Sequence, residues 1–187
     1  GAARLGHCTA LGLDPAIAIA RRDQAHERES ILERLSQIRY DLCHAEALRA
    51  HGVDIDCDAL QTEQADLSAR DYTMRYRRPY DETRVEEIRL RQTFALNCLA
   101  RLGTVIETCP TSNMRIGAVP SEAAHPVHNF LISDVPLTVG ADDPGLFDCR
   151  LDQEVDWVLR HGGLDYRSLE QRLGDSYRFR CGKRRSV

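Results

Sequence analysis

The segment Leu137–Phe147, LTVGADDPGLF, ends an apolar, β-prone run in two adjacent carboxylates, Asp142 and Asp143, followed at once by Pro144. Neighbouring anions repel, so a fold that holds such a pair at a buried strand end needs a cation or hydrogen-bond donors to offset the repulsion. Delivering an aspartate to the C-terminal end of a strand is also how α/β barrels build metal and catalytic sites. The same residues suit an Asp-Asp-Pro surface turn equally well. Other groups capable of chemistry are spread along the chain. Gly6-His7 ends a first apolar stretch, TVIETCPTSN carries Glu107, Cys109, Ser112 and Asn113, and His125 precedes Pro126. Cys109 invites a nucleophile reading, but spacing specifies no histidine partner, and a buried thiol shaping a strand end is the plainer alternative. Glu107 alternates with apolar positions, Ser112 and Asn113 suit the loop that follows, and His125 suits a structural role at a helix start.

Together these motifs resemble the adenosine deaminase and AMP deaminase family of zinc-dependent amidohydrolases. The matching residues are Gly6-His7, then Glu107, Cys109, Pro110, Ser112 and Asn113, then His125-Pro126, then Asp142 to Pro144 with Phe147 and Glu154 downstream. Order and spacing both agree over roughly 1–19 and 95–180; the stretch between has no recognised counterpart. The resemblance implies an α/β fold, the C-terminal part (about three βα units) of a (β/α)8 TIM-type amidohydrolase barrel, with these strands at its sixth to eighth positions. It also implies one zinc ion per complete site and a purine nucleoside substrate. Asp142 would ligate the zinc and contact the attacking water. His7 would be catalytic, assisting deprotonation of that water or steadying the developing charge. Asp143 would bind substrate at the purine ring. Zinc suits the task because it lowers the pKa of a bound water to about 7. The reaction implied is hydrolytic deamination of adenosine or a related purine. The alternatives are an amidohydrolase acting on AMP or another adenine derivative, and a non-catalytic assembly module.

The chain also departs from that pattern. It contains no His-x-His and no His-Ala-Gly-Glu, the segments that give the family its other zinc ligands and its general acid; His44-Ala45-Glu46 lacks the glycine and sits in a helical pattern. A closed barrel usually takes about 250 residues, whereas this chain has 187 and opens at Gly1 without a methionine. The expectation is a piece of a larger enzyme, inactive by itself.

The positioning elements follow from periodicity. A short strand, 2–6, feeds His7, and a helix or loop opens at Asp14-Pro15. From Arg22 to Ala50 the chain reads as helix, with Ile31, Leu35, Ile38, Leu42 and Ala45 on one face and Gly52 as its stop. A short polar segment or helix follows over 53–68, and 70–79 reads as irregular. Asp81 caps a second long helix that turns Ile88, Ala95, Leu99 and Leu102 inward and stops at Gly103. Strands are expected at 104–108 and 135–141, with a loop from Cys109, and helices at 126–133, 152–160 and 166–173. The interval from His7 to Cys109 is about three times that from Cys109 to Asp142, so 20–93 reads as a mainly helical insertion. The partial barrel is then 1–19 and 94–187. The apolar face of the insertion suits a homo-oligomer contact or a local cap.

Composition sets further bounds. A net charge of −4 implies no bulk affinity for nucleic acid. The aromatic-basic run 70–78 reads as a solvated loop in preference to a phosphate grip. No apolar run reaches the ~20 residues of a membrane span, and no signal peptide is evident. Seven cysteines without paired spacing suit reduced thiols and a cytoplasmic protein. The absence of Cys-x-x-Cys argues against a zinc ribbon.

Overall fold

The computed structural model describes residues 3–17 and 25–173. The elements run β1 (Arg4–Gly6), β2 (His26–Ser30), α1 (Ile31–Cys43), α2 (Ala45–Ala50), α3 (Cys57–Ser68), β3 (Arg75–Pro79), α4 (Glu82–Leu102), β4 (Val105–Thr108), α5 (Pro110–Arg115), α6 (Val127–Ile132), β5 (Leu137–Val139), α7 (Pro144–Phe147), α8 (Leu151–Gly162) and α9 (Tyr166–Leu173). They form two compact units, one of Gly1–Ile19 with Ala95–Val187, the other Ala20–Phe94. The basic C-terminal tail, the thiol of Cys181 and the start of the long helix expected from Arg22 lie outside the described residues.

The first unit is built on a three-stranded parallel sheet in the order β1-β4-β5, with Gly6 opposite Glu107 and Thr108 opposite Val139. Parallel strands need covering helices, and α6, α8 and α9 supply them. Ile106, Val127, Phe130, Val135, Leu137, Trp157, Val158 and Leu169 form the core beneath the sheet. Arg172 places its guanidinium at the end of α6, donating to the carbonyls of Phe130, Ser133 and Val135 at 2.6–2.8 Å. The carbonyls of Phe130 and Ser133 are acceptors that the helix end leaves open, and Val135 lies on the approach to β5. The unit is α/β with a parallel sheet, as expected, and among the described residues the three strands form an open sheet. Because the strands are parallel, β1, β4 and β5 all end on one edge, and the residues after them share it.

The second unit corrects two expectations. Residues 26–30 are a strand where helix was expected, and they pair antiparallel with 75–79, which had read as irregular. The alternation is present in burial but not in hydrophobicity. The inward positions include Glu27, 5% exposed, whose carboxylate takes the guanidiniums of both Arg78 and Arg84. A two-residue period written in ion pairs gives no apolar signal. The helix proper starts at Ile31, where Ser30 and Glu33 form a reciprocal capping box. Its face Ile31, Leu35 and Ile38 packs with Leu67 of α3, so the polar 53–68 segment does contain a helix. Asp41, 2% exposed, is held bidentately by Arg91 of α4 at 2.6 and 2.9 Å.

Asp81 begins α4 by accepting from Arg84 N–H, as expected, and Gly103 follows it at φ +63°. Phe94 and Leu96 are the buried residues of its later turns, whereas Leu102, expected inward, is 70% exposed.

Candidate active site

Strands two apart in a sheet lie roughly 10 Å from each other, so groups after β1 and β5 meet only if the chain bends back over the end of β4. It does so at both. His7 and Asp142 each adopt left-handed backbone, at φ +58° and +57°, a region that non-glycine residues seldom enter and that His and Asp tolerate better than most. His7 N–H still donates to Glu107 O at 2.7 Å, so the bend comes immediately after the last ladder bond. The result is a His7 Nε2 to Asp142 Oδ2 distance of 3.8 Å, with side chains 39% and 36% exposed. The pair is open to solvent, and of the two settings that suited the Asp142-Asp143 segment, a buried strand end or a surface turn, the exposure of both aspartates matches the surface turn. Strained backbone at such a point is common in functional sites.

The bridge between them comes from β4. The chain leaves β4 at Cys109 and enters α5, with Pro110 at its first position; this short helix replaces the loop expected there. Glu154 of α8, 1% exposed, accepts from Thr111 N–H at 2.9 Å and fixes the start of the turn. Ser112 and Asn113, both fully buried, then face opposite partners. Ser112 Oγ donates to Asp142 Oδ2 at 2.6 Å, and the Asn113 amide meets His7 Nδ1 at 2.8 Å. These two residues, read from sequence as local loop anchors, are the ties that hold the histidine and the aspartate. The signal that could have found them is their place directly after a central parallel strand.

The remaining residues fall around this centre. Gly140 passes so close that a Cβ there would lie 2.7 Å from Glu107 Oε1 and 3.2 Å from Cys109 Sγ. Cys109 is buried, and burial together with the nearby carboxylates of Glu107, Asp142 and Glu154 pushes its thiol up to about 12. It is a neutral packing group at physiological pH, as the plainer alternative held. Cys149 Sγ donates to Ala141 O and steadies the approach to Asp142. Asp143 is exposed and caps α7, its Oδ1 accepting from Leu146 N–H at 3.1 Å; its side chain joins neither His7 nor Ser112. His125 is buried against the Trp157 ring, with centroids 5.0 Å apart.

Zinc takes three or four protein ligands in catalytic sites. Among the described residues, no three His, Cys, Asp or Glu side chains stand close enough to hold a metal ion. Asp142 has the chemistry and exposure of one carboxylate ligand, and His7 stands beside it, but the residues present do not complete a site.

The adenosine deaminase family model matches residues 50–178, well over half of the chain. The chain belongs to the adenosine deaminase family. The match takes in β4, β5 and everything from Cys109 to Asp142. It begins inside the segment read as an insertion and does not include His7. Among curated proteins, an aminodeoxyfutalosine deaminase of Acidothermus cellulolyticus is 43% identical over 60 residues, 32% of this chain and 17% of the relative. An aminodeoxyfutalosine deaminase of Streptomyces coelicolor is 39% identical over 71 residues, 38% and 18% respectively. An adenine deaminase of Rhizobium leguminosarum is 41% identical over 66 residues, 35% and 20%. The matches thus span about a fifth of the length of these relatives.

Among the described residues no helix is long and apolar enough to cross a membrane.

Proposed function

We propose that the whole protein to which these strands belong is a zinc-dependent aminohydrolase of adenine-type bases, and that β1, β4 and β5 are consecutive strands at the end of its (β/α)8 barrel. The observation that carries the reading is the convergence of His7 and Asp142 from two separate strand ends onto one solvent-open point, in a family whose relatives are named as deaminases. Adenine itself, adenosine or a larger adenine derivative is the substrate class; the two kinds of relative differ in their named substrates, which leaves open what the adenine carries.

Replacing an exocyclic amino group by oxygen needs a strong nucleophile at neutral pH, and a bound zinc ion would supply it by acidifying a water molecule. Asp142 would provide one ligand, the others coming from residues beyond those described. Ser112 keeps the Asp142 carboxylate turned toward His7 by donating to the oxygen that faces the histidine. His7, beside Asp142, would offset negative charge developing on oxygen there. Asp143, next along the chain and exposed, would accept or donate a hydrogen bond at the purine ring and orient it.

The test is made on the whole protein. Asp142→Ala is expected to lose stoichiometric zinc, read by elemental analysis after gel filtration, and to lower ammonia release from adenine and its derivatives by at least 10³-fold, in line with loss of an electrostatic centre of catalysis. Full zinc content in that variant removes the assignment.

A further inference from the structure

Two buried side chains at the site, Asn113 and His125, have no part in the scheme above beyond holding position, and their hydrogen bonds carry information about His7. Val127 N–H donates to His125 Nδ1 at 3.1 Å, so that nitrogen holds no proton. A neutral imidazole carries one N–H, which must then be on Nε2. His125 stays neutral because it is 1% exposed and packed edge-on to Trp157. Burial, with a small contribution from His128, lowers its pKa to about 4. Its Nε2–H points at the Asn113 amide, 3.2 Å away.

An N–H in a fully buried position needs an acceptor. The amide nitrogen of Asn113 stands nearest His125 Nε2, and the amide oxygen nearest His7 Nδ1. That arrangement sets donor against donor. A half-turn of the amide exchanges its oxygen and nitrogen without moving any other atom, and hydrogen-bond logic decides between the two orientations. Turned so, the amide oxygen accepts from His125 and the amide NH2 donates to His7.

We infer that Asn113, oriented by His125, is a positioning residue that fixes His7 as the Nε2–H tautomer, with its N–H directed toward Asp142. His7 is 39% exposed at its side chain, so water alone would allow either tautomer; the buried relay removes the choice. The consequence is specific. His7 reaches the site as a hydrogen-bond donor able to steady charge on an oxygen beside Asp142, and not as the bare nitrogen that would take a proton from water. The His125-Pro126 pair, read from sequence as structural, becomes the distant end of this lock. The inference uses the reading of His7 as a site residue for its meaning, but its test is independent of activity.

The test is long-range proton–nitrogen correlation on the 187-residue chain labelled with 15N-histidine, at a pH of about 8, above the ordinary histidine range. His7→Ala and His125→Gln assign the two rings. The expected spectrum shows a bare Nδ1 and a protonated Nε2 for both. Asn113→Asp supplies a side chain of the same shape that only accepts. In it His125 is expected to keep Nε2–H while His7 switches to Nδ1–H. A His7 ring that is Nδ1–H or a tautomer mixture in the unaltered chain overturns the inference. So does a His7 tautomer that is unchanged in Asn113→Asp when the His125 signals show the fold intact. Should that variant fail to fold, the spectrum of the unaltered chain decides alone. Absence of deaminase activity in the whole protein would remove the proposed function and leave these ring signals as expected.

Discussion

His125 is a histidine that the interior keeps from charging, and that has a measurable cost in acid. Its pKa falls from the ordinary 6.5 to about 4 in the folded chain, chiefly through burial. Above 6.5 both folded and unfolded forms are neutral there. Between 6.5 and 4 the unfolded chain takes up a proton that the folded chain refuses, so stability falls as pH falls, and below 4 the loss is complete. The size is roughly 3 kcal/mol for a fully buried ring. Urea unfolding at a series of pH values should show this component in the unaltered chain and its absence in His125→Gln; identical pH profiles for the two would refute it. The placement of His7 and Asp142 beyond strand ends was legible from sequence because each follows an apolar strand pattern. Their meeting was not legible. It depends on two left-handed bends at non-glycine residues, which no residue-type pattern announces, and on buried hydroxyl and amide side chains whose reach is set by the sheet.

At the scale of elements, the turn after β1 is locked to α6. Asn129 Nδ2 donates to Gly12 O at 2.7 Å, and a Cβ on Gly12 would lie 2.8 Å from the Pro126 ring, the Pro126 carbonyl and the Phe130 ring. Ring and backbone atoms cannot give way, whereas the carboxylate end of Glu107 opposite Gly140 can swing aside. Gly12→Ala is therefore expected to cost about 1–3 kcal/mol and to lower Tm by several degrees. Gly140→Ala should cost less. Thermal melts in parallel check the order, and a neutral Gly12→Ala would show that β1 and α6 are not packed as described. The helix over 31–43 was legible because its buried positions are apolar at the helical period. The strands β2 and β3 were not, since Glu27 and Arg78 satisfy each other at positions where a core strand normally shows Val or Ile. Leu102 misled for the opposite reason: its period fits the inward face, but it falls in the last turn, where the helix has already run past the core.

The whole molecule presents a parallel sheet whose outer strands, β1 and β5, each have a strand neighbour on one side only among the described residues. The two groups with the clearest chemical claim, His7 and Asp142, come from just these outer strands. In the proposed barrel, further strands pairing with these outer edges would bring further ligands to a centre assembled between them. One carboxylate and one neighbouring histidine bind a divalent ion far more weakly than the three-ligand sites of zinc hydrolases. The chain of 187 residues, purified alone and given excess zinc, is therefore expected to release no ammonia from adenine, adenosine or AMP above the uncatalysed background. Its zinc affinity should differ little from that of Asp142→Ala. Unpaired edges also favour association, so light scattering should accompany the assay to separate inactivity from loss by aggregation. Turnover that scales with monomeric chain and disappears in Asp142→Ala would mean that the missing ligand lies within these residues, and that the centre is complete where two groups alone are seen to converge.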